Sequence, residues 1–159
     1  MPTTTRIEEL RKEVAALAQA SPSARDVMSG MCRLLHERML KYNWVGFYML
    51  EPGARPPMLV LDVFVGAMTP HTRIPLNQGI CGAAASSGKT IVVDDVSKDP
   101  RYLACSLETK SEIVVPVFVN GAVAGELDID SHFPAAFGVE DQALIQYCAE
   151  VVGKKLEKK

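Results

Sequence analysis

The stretch that decides the fold is ACSLETKSEIVVPVFVNGAVAGELDIDS, Ala104–Ser131. An apolar strand over Ile113–Val119 leads into Asn120-Gly121, a dipeptide that favours a type I′ turn because both of its residues tolerate a positive φ. The return strand, Ala122–Asp130, carries acidic residues at alternate positions near its end. Side chains alternate between the two faces of a strand, so these carboxylates share one face. They are Glu126, Asp128 and Asp130.

The register of this hairpin raises a question about Glu112, which precedes the first strand. Unbroken pairing back from the turn sets Glu112 opposite Ile129, and its carboxylate then points away from the aspartates. Pro116 donates no ladder hydrogen bond, and Gly125 opposite it tolerates unusual backbone angles. We therefore predict either a break in the pairing near Pro116 and Gly125 or a loop position for Glu112, because one extra residue reverses the facing of everything beyond it.

The rest of the chain predicts helices on both faces of this sheet. Apolar spacing and a Ser23 cap indicate two N-terminal helices, small residues indicate a central one, and apolar spacing indicates a closing one. Strand patterns separated by turn residues fill the middle of the chain. The fold class is α+β, with a mostly antiparallel central sheet of about six strands, in a single domain over residues 1–159. The predicted helices cover 6–19, 23–41, a segment from Ile80 and 137–154, and the further strands cover 44–50, 58–65, 72–76 and 91–93.

Composition narrows the class of protein. The net charge of −2 and the lack of a Lys/Arg cluster give no reason to expect a nucleic-acid partner. No apolar run reaches the length of a membrane span, and the N-terminus is too charged for a signal peptide. We therefore expect a cytoplasmic protein with no membrane partner.

The four cysteines are too scattered for a disulfide scaffold, and without a CxxC or a nearby histidine they give no sign of zinc. Cys32 and Cys148 fall on apolar helix faces and are expected in the core. Cys81 falls in the first turn of the central helix, where the dipole favours a reactive thiolate, although tight packing beside glycines explains it equally well. Cys105 lies in a long polar segment, 94–110, of the kind that is usually functional.

Four segments together resemble the GAF-domain free methionine-(R)-sulfoxide reductases. The similarity extends in order from about Ile7 to Lys154, and it implies a GAF-like fold with no cofactor or metal. The segments are N-W-V-G-F-Y (43–48), R-I-P-L-x-x-G-I-C-G (73–82), Cys105-x6-Glu112 and G-E-L-D-I-D-S (125–131).

The resemblance implies a role for each matching residue. Cys105 is the nucleophile that attacks the sulfoxide sulfur and becomes a sulfenic acid, which Cys81 resolves as a disulfide. A thioredoxin-type reductant then restores both thiols, and a homodimer is left open as the assembly. The carboxylates supply a proton and bind the ammonium of the free amino acid. Those carboxylates are Glu112, Asp128 and Asp130, and the enclosing aromatic residues are Trp44 and Tyr48.

Two positions depart from the family pattern. His71 stands where relatives usually carry a third cysteine, ten residues before Cys81, and Glu126 stands where they commonly carry an apolar residue. Two alternatives to the reductase follow: a ligand-sensing GAF module without turnover, and a degenerate relative that binds methionine sulfoxide without recycling. The chain has little room after its last helix for the output domain that a sensor normally controls.

Overall fold

The computed structural model describes residues 3–103 and 108–157. Cys105 therefore lies outside the described residues. Within them the chain forms helices, strands and one short 3₁₀ helix over Val96–Lys98. The α-helices are α1 (Thr3–Ala20), α2 (Ala24–Arg38), α3 (Gly79–Ser87) and α4 (Val139–Glu157). The strands are β1 (Trp44–Leu50), β2 (Met58–Val65), β3 (Arg73–Pro75), β4 (Ile91–Val93), β5 (Ser111–Val119) and β6 (Ala122–Ser131).

The six strands form one sheet in the order β3-β2-β1-β6-β5-β4. Each neighbouring pair is antiparallel, so the predicted sheet type and strand number are confirmed. The two central strands, β1 and β6, pair with each other directly although the chain between them is long. As a result, the segments 43–48 and 125–131 lie side by side.

The helices cover both faces, as predicted. Side chains of α1, α2 and α4 pack with one face of the sheet in the larger apolar core, which contains Phe47, Ile113 and Leu127. On the opposite face α3 packs in a smaller cluster with Trp44 and Tyr48. Consecutive side chains of the central strands thus enter two different environments. None of the helices among the described residues is long and apolar enough to cross a bilayer.

Several element boundaries differ from the predicted ones. The Ser23 side chain caps α2, as expected, by accepting a hydrogen bond from the Asp26 amide at 3.1 Å. The helix ends at Arg38 instead of Lys41, because Met39 adopts an extended backbone. The first strand of the hairpin begins at Ser111 and so includes Glu112. The alternative that Glu112 lies in the preceding loop is therefore wrong.

The hairpin contains the predicted break in pairing. Asn120 and Gly121 both have positive φ, and Val119 pairs with Ala122. Val117 then pairs with Gly125, where unbroken pairing would place Ala124, so Ala124 is the extra residue of a bulge. Beyond it the register is shifted by one residue, and Glu112 pairs with Asp130.

Gly125 serves a different purpose from the one that the sequence suggested. Its φ is not positive. A Cβ atom there would lie 2.5 Å from both the Met49 Sδ and the Tyr48 carbonyl oxygen of β1. Position 125 requires glycine because β1 lies too close to leave room for a side chain. The extra residue of the bulge is Ala124.

Candidate functional site

The site is a row of buried carboxylates on the face of the sheet that α3 covers. Because of the bulge, Glu112 lies opposite Asp130 while Val114 lies opposite Asp128. Residues two apart on a strand share a face, so Glu112, Asp128 and Asp130 project to the same side. All three side chains are buried. The three carboxylates therefore share one face of the sheet, as a common site would require.

Trp44 and Tyr48 flank this row from β1. Trp44 pairs with Asp130 and Tyr48 pairs with Glu126, so both aromatic residues are on the carboxylate face. Their ring centroids are 6.3 Å apart. The Trp44 Nε1–H donates to the Ala67 carbonyl at 3.0 Å, which fixes the indole.

Between the two aromatic residues, Gly46 leaves room for the indole. A Cβ atom on Gly46 would lie 2.7 Å from the Trp44 Cζ3 and 2.9 Å from the Phe64 Cβ. Trp44 stacks on Phe64 with a centroid distance of 5.6 Å. The glycine of the NWVGFY segment therefore lets Trp44 lie flat over its own strand.

Cys81 reaches the carboxylates from the first turn of α3. Its thiol donates to the Asp128 Oδ2, with 3.4 Å between sulfur and oxygen, and only 6% of the residue is exposed. Burial raises the pKa of the Cys81 thiol well above its usual value, and the negative charges of Asp128 and the neighbouring carboxylates raise that pKa further. Desolvation and the nearby carboxylates thus oppose the thiolate that the dipole of this short helix would favour.

The carboxylates differ in the form that their surroundings favour. Burial, followed by the charge of Asp128, raises the pKa of both Glu112 and Asp130 well above the usual carboxyl value. Burial also raises the pKa of Asp128, but hydrogen bonds from Glu112, Cys81 and Asp130 oppose that rise. The surroundings therefore favour the neutral acid form of Glu112 and Asp130 more strongly than that of Asp128.

Two cavities adjoin the carboxylates. The smaller, of about 20 Å³, has Glu112 and Asp128 in its wall, and the larger, of about 80 Å³, has Asp130. Leu103 lines the first and Glu108 lines the second. The first is lined by Tyr48, His71, Ile74, Gly79, Ile80, Cys81, Leu103, Glu112 and Asp128. The second is lined by Asn43, Trp44, Ala67, Met68, Thr69, Glu108, Thr109, Asp130 and His132.

His71, which replaces the family's third cysteine, lies in the wall of the smaller cavity together with Cys81. Its carbonyl oxygen accepts a hydrogen bond from the Tyr48 hydroxyl at 2.7 Å. Its amide donates to the Thr69 Oγ1 at 3.1 Å. The backbone of this loop therefore holds Tyr48 in place, and the hydrogen bond does not involve the side chain of residue 71.

Glu126 is the residue whose surroundings the sequence left undecided between pocket and solvent. It is 0% exposed, so the solvent-facing alternative is wrong. Neither carboxylate oxygen has a hydrogen-bond partner among the described residues. Burial, with the Asp128 charge as a second cause, raises the pKa of Glu126 well above its usual value. The acid is therefore kept neutral beside the site.

Sequence reasoning missed the loop between β2 and β3. Ala67, Met68 and Thr69 line the larger cavity, yet nothing in their pattern distinguishes them from an ordinary connection. The sequence did mark one other residue of the larger cavity, because Asn43 belongs to the NWVGFY segment. Its Oδ1 accepts a hydrogen bond from the His132 amide at 2.7 Å and ties the end of β6 to the start of β1.

Comparison with known proteins agrees with this geometry. The GAF domain family matches residues 24–156. The free methionine-R-sulfoxide reductase of Escherichia coli (strain K12) is 35% identical over 144 residues, covering 90% of this chain and 84% of the relative. The chain belongs to the GAF-domain free methionine-(R)-sulfoxide reductase family. The family resemblance predicted from the sequence is thus confirmed.

Solved structures of this reductase family have the same fold. The free methionine-R-sulfoxide reductase of Neisseria meningitidis, in complex with its substrate, superimposes with a TM-score of 0.88 at 34% identity, covering 95% of this chain and 88% of that one. The type II free methionine-R-sulfoxide reductase of Thermoplasma acidophilum gives a TM-score of 0.79 at 42% identity, with coverages of 85% and 93%.

Proposed function

We propose that the protein reduces free methionine-R-sulfoxide to methionine through a cysteine nucleophile. Relatives and structural neighbours that cover most of this chain carry the name of that activity. The observation that carries the proposal is the set of buried carboxylates from two strands, enclosed by Trp44 and Tyr48. A free amino acid brings an ammonium group, and a desolvated pocket can hold that group only with carboxylates.

The first chemical step is oxygen transfer to Cys105. Its thiolate attacks the sulfoxide sulfur and forms an Sγ–S bond. The protonated oxygen then transfers to the Cys105 sulfur as the S–O and Sγ–S bonds break, which releases methionine and leaves Cys105 as a sulfenic acid. The sulfoxide is reduced by two electrons while the thiol is oxidised by two. A sulfoxide oxygen leaves only when protonated, and Glu112 supports this role because its surroundings keep it in the acid form. Asp130 is the second candidate donor on the same ground.

The second step regenerates the thiol. The Cys81 sulfur attacks the sulfenic acid, a disulfide forms and water leaves. Cys81 must lose its proton as it attacks, and the Asp128 Oδ2 already accepts a hydrogen bond from that thiol. Asp128 is thus positioned as the base for resolution. A thioredoxin-type dithiol then reduces the disulfide, and the homodimer stays a prediction.

The His71 substitution supports a second candidate function, that of a relative which binds the sulfoxide but recycles poorly. Kinetics separate the two. The reductase should give one equivalent of methionine without reductant and continuous turnover with a thioredoxin system. The degenerate relative gives the first equivalent at most, and a sensor without turnover gives none.

Cysteine variants test the chemistry. Cys105→Ser should abolish both reactions, whereas Cys81→Ser should keep the single turnover and lose the continuous one. Cys148→Ala is the matched control, because Cys148 is buried in the larger core, away from the carboxylates. Full continuous activity in Cys105→Ser would refute the assignment of the nucleophile.

A further inference from the structure

The smaller cavity brings together three groups that are known metal ligands. The Cys81 Sγ, a carboxylate oxygen of Glu112 and a carboxylate oxygen of Asp128 all lie within 4.8 Å of one another. They come from α3, β5 and β6, so elements distant in the sequence converge here. Their spacing in the sequence matches no common zinc motif, because the three residues include neither a CxxC pair nor a histidine.

One oxygen atom of these three groups lacks the partner that burial normally requires. The Asp128 Oδ1 has no hydrogen-bond partner among the described residues. Asp128 is 2% exposed and lines the cavity together with Cys81 and Glu112. A buried carboxylate oxygen without a partner is costly, and a cation bound beside it would remove that cost.

The geometry fits a small ion with a preference for mixed sulfur and oxygen ligands. Zinc binds thiolates at about 2.3 Å and carboxylate oxygens at about 2.0–2.2 Å, so its tetrahedral ligands lie roughly 3.3–3.6 Å apart. The Cys81 sulfur and the Asp128 Oδ2 are already 3.4 Å apart. The cavity of about 20 Å³ leaves room for one water-sized fourth ligand. Mg²⁺ and Ca²⁺ fit less well, since both require six or more oxygen ligands.

We propose that Cys81, Glu112 and Asp128 form a binding site for a single Zn²⁺ ion in the reduced protein. On binding, the Cys81 S–H bond breaks, a sulfur–zinc bond forms, and the thiol proton leaves to solvent together with any proton on Glu112. A consequence for turnover rests on the proposed function. Zn²⁺ would occupy Asp128 and block Cys81, so it would compete with the ammonium group of the substrate and prevent resolution.

Direct binding tests the site without substrate. The reduced protein is dialysed against chelator-buffered ZnCl₂, and one equivalent should bind. CoCl₂ in place of zinc should give a near-ultraviolet thiolate-to-cobalt absorption band. Cys81→Ser should lose the band, and Cys81→Ser, Glu112→Gln and Asp128→Asn should each weaken Zn²⁺ binding by at least about tenfold. Circular dichroism confirms that each variant is folded.

Two further variants control for the other thiols. Cys148→Ala and Cys32→Ala should each bind one equivalent with the wild-type affinity, because both thiols are buried in the larger core. Zinc binding that is unchanged in both Cys81→Ser and Asp128→Asn would overturn the proposal. So would binding that is lost in Cys32→Ala. Because dialysis needs no turnover, a failure of the metal site leaves the reductase proposal untouched, and a protein that binds Zn²⁺ without reducing sulfoxide would refute only the latter.

Discussion

Glu112 and Asp130 are paired residues on neighbouring antiparallel strands, and the pair exists because Ala124 is one residue too many for regular pairing. Their carboxyl groups lie on the face covered by α3, and both are held in the acid form by burial and by the charge of Asp128. Carboxyl groups whose raised pKa favours the acid form are suited to donate the proton that the proposed sulfoxide reduction requires.

Glu112→Gln should slow single-turnover reduction by about 10²–10⁴-fold, because the amide keeps the shape of the side chain and cannot donate a proton with the same ease. Rapid quenching of the reaction without reductant, with methionine as the measured product, gives the rate. Glu150→Gln, at an exposed position of α4, should react at the wild-type rate. An unchanged rate in Glu112→Gln, with a large loss in Asp130→Asn, would transfer the donor role to Asp130.

Asp128→Asn should weaken substrate binding, because it removes the carboxylate whose charge the neighbouring donors stabilise. Loss of one charged partner from a buried pair costs about 2–5 kcal/mol, which corresponds to an increase of about 30-fold or more in KM. Steady-state kinetics with free methionine sulfoxide measures it. Asp26→Asn, on the exposed start of α2, is the control, and wild-type KM and kcat in Asp128→Asn would exclude this residue from binding.

Glu126 should make the protein less stable as the pH rises. The pKa of Glu126 is raised in the folded state, so folded chains keep a proton that unfolded chains release above about pH 4.5. The stabilising contribution of this proton is fully present below the pKa that Glu126 has in the unfolded chain. It is lost as the pH rises to the pKa that Glu126 has in the folded chain. The free energy of unfolding should therefore fall by up to about 1.4 kcal/mol for each pH unit in this window.

Urea unfolding of Glu126→Met from pH 5 to pH 8 checks this. Methionine fills a similar volume without a proton to lose, so the pH slope of the variant should be shallower than that of the wild type, and the variant should be the more stable protein at pH 8. Parallel slopes would mean that the folded and unfolded chains carry the same number of protons on Glu126 in this range, and would contradict a raised pKa of Glu126 in the folded state.

Cys32 and Cys148 should not react with alkylating reagents in the native state. Both are fully buried, and desolvation is the main cause that raises the pKa of each thiol to about 12. Iodoacetamide at pH 8, followed by peptide mass spectrometry, should label neither residue until urea is added. Native labelling of Cys148 at the rate of a free thiol would show that the larger core opens.

The hairpin and its bulge could be predicted from the sequence because their causes are local. Asn120-Gly121 fixes the turn, alternation fixes which side chains share a face, and a Glu112 that faces the aspartates requires one extra residue in the hairpin. Pro116 itself stays paired with Glu126, and the extra residue is Ala124. The protonation of Cys81 could not be predicted in this way. It depends on α3 packing against β6, which brings Asp128 to the thiol from 47 positions away.

The buried state of Glu126 escaped prediction for the same kind of reason. An acidic residue in an alternating strand normally indicates a solvated face, and only the packing of α3 on that face excludes water. The division of the site into two cavities depends on the loop between β2 and β3, whose residues have no distinguishing pattern. The role of Cys105 and the extent of the domain stay predictions.

The bulge also has a neighbour far from the carboxylates. Gly153 of α4 lies so close to the Phe118 carbonyl that a Cβ atom would overlap it. Phe118 is the residue at which the register shifts. The one extra residue in β6 thus decides which face of the sheet Glu112 lies on, and α4 packs against the position where the register of the hairpin changes. In this chain, deletion of Ala124 would restore regular pairing and turn Glu112 to the opposite face, while each of the site residues stayed in the sequence.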